Sequence, residues 1–533
     1  PKAHTRYKNV EFYFGDTWKV TPRLTLELGA RWSFLREPYD ANDAMSVFDP
    51  RFYDPTRPAS DPCNGLVVPP GTNPCSGITG ASTPHEGVNR SLRENNNHLI
   101  APRLGLAWDI FGTGKTALRA GVGQFFQRER VGPLLGLAAN VPFTLGVAGT
   151  RTLDAGTINI DGPPNGAPTR AWDSSNKVPN AWQWNLTVDQ QLWKDAVLEV
   201  GYVGNRALHQ LVNFDINQPR PANRLQAAFL QNANAFRPFP NFGNILQWSR
   251  GGSASYHSLQ TLFKTRLWGR SQLQASYTWS HSIANAPLDD SSGGQSANTW
   301  MDAYNGGLEK GNSGINRPHI FVANAIFYLP SLKNANSFMR AALGGWEYAT
   351  IVTISSGSSL TPNIVNGSIT NLPGGFSGIA TNTGNERPNR VPGVPCTIDG
   401  GEGFQVLNPA AFTLVGARIG QPGNSARGTC LGPGINNFDM SFYKNFTPTW
   451  LQKPFGEAAR VQFRLELFNA FNHAQFRGDT VQLNLAGGAV TCGNAPCSPT
   501  NNLITGETKN GSFGRAGATR GPREIQYSLK LTF

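Results

Sequence analysis

Charge is scarce in this chain: only 15% of its 533 residues are Asp, Glu, Lys or Arg, well under the roughly 25% of an average soluble domain. Long apolar runs are missing too. No window approaches the ~20 consecutive apolar residues that a membrane-crossing helix needs, which excludes a helical membrane protein. Neither a G-x-S-x-G elbow nor an H-E-x-x-H pair occurs, and the eight histidines are scattered. Nothing nominates a nucleophile or a paired acid and base, so the expectation is no enzyme, no catalytic residue, no metal site and no cofactor. The excess of 46 Lys+Arg over 34 Asp+Glu, a net charge of +12, invites a nucleic-acid reading. No basic run of five or more residues with interleaved aromatics supports it, so no nucleic-acid partner is expected. Gly112-Thr113-Gly114-Lys115-Thr116 looks like the end of a phosphate loop, but Asp109 stands where that pattern requires glycine, and a tight turn is the better reading.

Punctuation and rings are plentiful. Glycine (59), proline (38) and an aromatic share of 11% accompany 39% hydrophobic residues, enough apolar surface to argue against a disordered chain. At the C-terminus Ile525, Tyr527, Leu529, Leu531 and Phe533 alternate with Glu524, Gln526, Ser528, Lys530 and Thr532, the pattern of a two-faced strand. The same rhythm recurs in Leu24 to Phe34, Pro102 to Ile110, Trp182 to Val188, Leu259 to Leu267, Leu273 to Trp279 and Val461 to Leu467, in about thirteen segments altogether.

Short links join these segments in pairs: Thr21-Pro22-Arg23, Gly112 to Lys115, Lys194-Asp195 and Gly269-Arg270, with longer ones near 330–345 and 447–458. Such links read as hairpins. The opposite ends are joined by polar stretches near 36–96, 129–180, 218–254, 284–316, 358–434 and 472–519, more than half the chain. Compact soluble domains rarely tolerate structureless connections beyond roughly 15 residues. Trimmed turns on one rim and elaborate loops on the other are the asymmetry of a transmembrane β-barrel, with short periplasmic turns and long extracellular loops. A closed sheet satisfies its own backbone in hydrocarbon, and its alternation puts lipid outside and water inside. The rival is a soluble sandwich or propeller. A soluble core favours Val and Ile and needs no Trp at successive turns, and a propeller needs an even repeat near 40 to 50 residues.

Within that all-β, antiparallel reading, residue roles follow from position. Trp18, Trp193 and Trp268 precede three of the short links and Trp346 follows the longer one near 330–345; the four are expected to form a membrane-interface girdle. Arg31, Arg103, Arg119, Lys264, Arg266 and Arg464 occupy the polar phase and are expected to face the lumen, where they concentrate anions. His209, His257 and His281 either share that lumen or are lone polar strand residues, and Asp289-Asp290 reads as a solvated loop. The six cysteines fall in long loops as Cys63 and Cys75, Cys396 and Cys430, Cys492 and Cys497. In an oxidising exterior these read as three local disulfides, with metal ligation the alternative. The first strand, about Val10 to Lys19, and the last both run toward the short-turn rim, so the strand count is odd. Single-chain bacterial barrels are even-numbered. With no initiating Met and no signal segment, the expectation is that residues 1–533 are the C-terminal portion of one barrel domain.

Several motifs then carry a resemblance. Asp16-Thr17-Trp18-Lys19-Val20-Thr21-Pro22-Arg23-Leu24-Thr25-Leu26 resembles a hairpin of TonB-dependent outer-membrane receptors. So do Ala101-Pro102-Arg103-Leu104-Gly105, Phe111 to Thr116 and Arg119-Ala120-Gly121. Phe468-Asn469-Ala470-Phe471-Asn472-His473 with Phe476 resembles the penultimate strand, and Phe513-Gly514-Arg515 with terminal Phe533 resembles the last hairpin. The nearest match is the Oar-like branch, receptors with a carboxypeptidase-regulatory-like N-terminal domain. The resemblance implies a 22-stranded barrel of which this chain holds about 13 strands, the plug, TonB box and N-terminal domain lying outside it. It also implies a bacterial outer-membrane location and uptake of an unidentified extracellular substrate driven by the TonB complex. Tyr527, Leu529, Leu531 and Phe533 would then be the signal read by the barrel-assembly machinery, and outer-membrane lipid the surrounding partner. A passive porin-like or adhesive surface barrel is the alternative function.

Overall fold

The computed structural model describes residues 4–58, 61–128, 136–138, 140–143, 149–151, 158–160, 169–226, 232–240, 242–267, 270–286, 299–332, 334, 336–365, 369, 386–398, 404–456 and 459–533. Thirteen long strands dominate them: β1 (Asn9–Thr21), β2 (Leu24–Leu35), β3 (Leu99–Asp109), β4 (Thr116–Phe126), β5 (Asn180–Trp193), β6 (Ala196–Asp215), β7 (Leu246–Leu267), β8 (Ser271–Ala284), β9 (His319–Tyr328), β10 (Trp346–Ser355), β11 (Ile435–Phe446), β12 (Arg460–Phe468) and β13 (Glu524–Thr532). Each pairs antiparallel with its neighbour in sequence, giving one continuous meander. Among the described residues β1 pairs along its length with β2 alone, and β13 with β12 alone. An odd meander leaves these two open edges running in the same direction.

The register explains why alternation forms this sheet. Phe12 faces Trp32, Leu28 faces Leu104, and Leu186, Tyr202, Leu259 and Trp279 succeed one another across four strands. The same face continues through Tyr348, Phe442, Leu465 and Tyr527. Leu104, Leu186, Trp279, Tyr527 and Leu529 on it are all exposed. In water so wide an apolar surface is a liability; against hydrocarbon it is solvated, and the paired backbone behind it needs no water.

The short links are turns. In the one between β3 and β4, both carboxylate oxygens of Asp109 accept backbone N–H groups, from Gly112 and Gly114, each at 2.9 Å. Both glycines hold φ near +70°, a left-handed conformation that side chains disfavour, so Gly112 to Thr116 is a hairpin turn. The two longer links carry short helices, α1 (Ser337–Leu343) and α2 (Thr449–Phe455). Among the described residues no helix is long and apolar enough to cross a membrane.

The long connections depart from the expected polar loops. They pack around buried apolar clusters, the largest built from Leu360, Ile364, Leu407, Phe412, Ile419, Leu485, Ile504 and Phe513 of the β10–β11 and β12–β13 connections. These residues are scattered among Gly, Pro and Asn without a period, so no strand or helix pattern announces them. Phe513, whose motif resembles a last hairpin, is buried against Phe412 at 5.9 Å, and β13 pairs with β12 instead. Asn469 to Phe476 lies beyond β12, which ends at Phe468. Strand β7 begins at Leu246, inside the stretch read as a connection.

Candidate functional site: the polar wall and the loop cap

The second face of the sheet carries the polar half of every alternation. Arg31, Arg103, Arg119, Lys264, Arg266 and Arg464 all share it by register. Acids and rings interleave with them. Arg31 lies 3.5 Å from Glu11, which also accepts from Ser33 at 2.7 Å. Arg119 pairs with Asp189 at 3.2 Å. The Arg103 guanidinium sits 4.7 Å from the Phe125 ring centre. Arg464 donates to Gln462 at 2.6 Å and lies over Tyr443, whose hydroxyl donates to Glu466 at 3.0 Å. Lys264 stands opposite Gln274, and Arg266 opposite Gln272.

Part of this wall is bare. Gly15, Gly29, Gly105 and Gly121 expose backbone beside a concavity of about 840 Å³ lined also by Tyr13, Glu27, Arg103 and Asn185. Tyr13 folds flat over the gap, and a Cβ at Gly29 would stand 2.9 Å from its hydroxyl oxygen. The wall thus offers guanidiniums, carboxylates, amides and exposed peptide groups, a chemistry for hydrated or anionic solutes rather than for bond making.

The histidines are divided differently from a shared lumen. His257 and His281 have the parity of Leu259 and Trp279 and stand on the apolar face, with His319. Tyr202 Oη lies 2.7 Å from His257 Nδ1, Tyr277 Oη 2.8 Å from His319 Nδ1, and His281 Nε2 2.8 Å from Asn312 Oδ1. With Trp184 and Trp279 they make an aromatic and imidazole band toward the long-loop rim. Strand parity already contained that signal. His209 stands apart at the β6 irregularity, with φ of +57° and Nδ1 3.0 Å from Asn180 Nδ2. At the opposite rim Trp18 and Trp193 are exposed beside their turns and Trp346 packs against Phe463; Trp268 lies outside the described residues, as do Asp289 and Asp290.

Above the wall the long connections form a cap held by buried ion pairs that join distant segments. Nη2 of Arg250 in β7 donates to both carboxylate oxygens of Glu37, at 2.9 and 3.2 Å, across 213 residues of sequence. Arg224 forks onto Asp302 at 2.8 and 3.1 Å. Glu309 receives Arg387 at 3.2 Å on both oxygens, Arg427, and the Met301 N–H at 2.9 Å. Burial alone would raise the Glu309 carboxyl, but the two guanidiniums and the Met301 N–H outweigh it and hold the acid below its ordinary range. None of these pairings has a sequence signature, because the partners stand far apart in the chain and nothing local marks which charge meets which. The six cysteines pair as Cys63–Cys75, Cys396–Cys430 and Cys492–Cys497, each within one connection.

A family model agrees with this geometry. The family described as outer membrane beta barrel domain matches residues 1–526. Similar solved structures include the outer membrane transporter YddB from Escherichia coli, 12% identical with a TM-score of 0.40, covering 98% of this chain and 45% of that one. The ferric-catecholate import receptor Fiu from E. coli K12 is 10% identical at a TM-score of 0.38, over 99% of this chain and 45% of its own. The ferripyoverdine receptor of the outer membrane of Pseudomonas aeruginosa is 9% identical at 0.40, over 98% and 38%. This chain therefore spans less than half the length of each. No curated protein matches.

Proposed function

This chain belongs to the outer membrane beta barrel domain family, and from that premise we propose that it is the C-terminal portion of a TonB-dependent receptor that takes up a substrate across the outer membrane. The observation that carries this reading is the meander itself. Among the described residues thirteen long strands end in two open edges of the same direction, and an antiparallel cylinder cannot close on that seam. Further strands of the same protein, within the 22 implied by the turn motifs, would close it. The Oar-like branch rests on those motifs alone.

In this reading the loop cap meets the substrate first, and the charged wall then conducts it past a plug whose acids pair with Arg31, Arg103, Arg119 and their neighbours. Trp18, Trp193 and Trp346 anchor the short-turn rim in the headgroup layer. The TonB complex would act through the N-terminal region. Conductance across planar bilayers tests the proposal: the full-length receptor should be closed at rest, because its plug fills the lumen. A steady ohmic current from the unmodified protein would instead make it a passive porin.

We also propose β13 as the segment read by the barrel-assembly machinery. Tyr527, Leu529 and Leu531 face Leu465, Phe463 and Val461 on the apolar side and remain exposed. Deleting Phe533 from the full-length protein should cut the amount of folded, heat-modifiable barrel in the outer membrane several-fold. An undiminished yield would remove this role.

A further inference from the structure

The short-turn rim holds two helices that leave large apolar side chains uncovered: Phe338 is 81% exposed and Leu343 59% on α1, and Trp450 68% on α2. Both lie in neighbouring turns, since β10 and β11 pair at this end with Trp346 opposite Lys444. The attachment of α1 is on the apolar side of the sheet. Trp346 shares that face with Phe463 and donates its indole N–H to the Ala342 carbonyl of α1 at 2.8 Å. Lys444, only 4% exposed, donates to the Gly344 carbonyl at 2.6 Å and lies 5.4 and 5.5 Å from the Trp346 and Phe446 ring centres. The segment after α1 is therefore pinned to residues of the lipid-facing surface, at its lower margin.

Charge points the same way. The sequences SFMRAAL and TWLQKPF contain Arg340 and Lys453 and no acid. Between α1 and the end of β11 runs a concavity of about 490 Å³ lined by Arg340, Lys444, Asn445 and Thr447. Basic groups beside exposed aromatics, continuous with an apolar belt, suit a layer of phosphates over acyl chains. A water-facing turn has no use for Phe338 and Trp450 at such exposure.

We propose that α1 and α2 are interfacial helices seated in the phosphate layer of the inner leaflet, with Phe338, Leu343 and Trp450 in the acyl boundary and Arg340 facing phospholipid phosphate. The proposal rests on the reading that the sheet spans the bilayer with its short turns in the periplasm. It extends the rim from a ring of indoles to a short shelf that lies on the membrane. The depth expected is that of an amphipathic surface helix, about 5–10 Å below the headgroup surface.

Depth-dependent quenching tests it on the full-length protein in vesicles of phosphatidylethanolamine and phosphatidylglycerol. The six cysteines of this chain are all disulfide-bonded, so a thiol introduced here can be labelled selectively with an environment-sensitive dye. Labels at F338C and at W450C should be quenched by lipids brominated near the headgroup and spared by aqueous iodide. A label at L259C, on the apolar face of β7, should be quenched by lipid in any membrane-spanning arrangement. If the L259C label responds to lipid while those at F338C and W450C respond to iodide, the helices hang in water and the proposal falls. If the helix labels respond to neither quencher, protein covers them and the proposal falls as well. Failure at L259C itself would overturn the spanning reading beneath it.

Discussion

Replacing Glu309 with alanine should loosen the extracellular cap without disturbing the strands. The side chain is fully buried and receives Arg387, Arg427 and the Met301 N–H, so its removal leaves the buried Arg387 guanidinium without its counter-charge and the partly exposed Arg427 without its carboxylate partner. Breaking a buried ion pair by deleting one partner costs about 3–5 kcal/mol. In hydrogen exchange that corresponds to a rise of about a hundredfold or more in the opening of the 299–316 and 386–431 segments, since opening free energies are read directly from protection. The β5–β8 amides should keep their protection. Acid should imitate the substitution. Because the Glu309 pKa is lowered in the folded protein, its contribution is complete above the ordinary value of 4.5 and is lost as pH falls through the lower folded value. The wild-type cap should therefore open only in acid, and the variant already at neutral pH. Unchanged protection of both segments in the variant would mean that the carboxylate does not hold the loops together.

The second large effect separates the two faces of one strand. Leu186 and Asn185 are adjacent in β5, but Leu186 lies between Ala120 and Tyr202 on the apolar side while Asn185 lies between Gly121 and Val203 on the polar side. Arginine at 186 should destabilise the barrel by about 2–4 kcal/mol, the cost of a cation on the lipid face near the midplane. Arginine at 185 should cost little, because that face already carries Arg119 and Asp189 and meets polar groups rather than hydrocarbon. Reversible urea unfolding of the full-length protein in phospholipid bilayers measures both. Equal costs would mean that the two faces see the same solvent, and the inside-out polarity drawn from the register would be wrong.

Much of this was legible in the residues. The alternation of Ile525, Tyr527, Leu529 and Leu531 marks β13, and the polar parity of Arg103 and Arg119 assigns them to the wall. A strand has a period of two, so one residue's identity implies the facing of its neighbours. The histidine band was legible by the same rule, because His257 and Trp279 share the parity of Leu259. The cap was not. Ile364, Phe412 and Phe513 are lone apolar residues in aperiodic chain, and Arg250 meets Glu37 across 213 residues. Nor does a link read as a longer turn disclose that α1 is tied to Trp346.

By itself the sequence determined the meander, its two faces and the rim that carries short turns, because backbone pairing and alternation are local and repeat along the chain. Tertiary structure alone decided how the connections pack, which charges neutralise one another, and which side of the sheet α1 leans against. Those outcomes depend on burial, and burial is set by what arrives from elsewhere in the chain: a carboxylate in a loop is a solvated charge until a distant guanidinium closes over it.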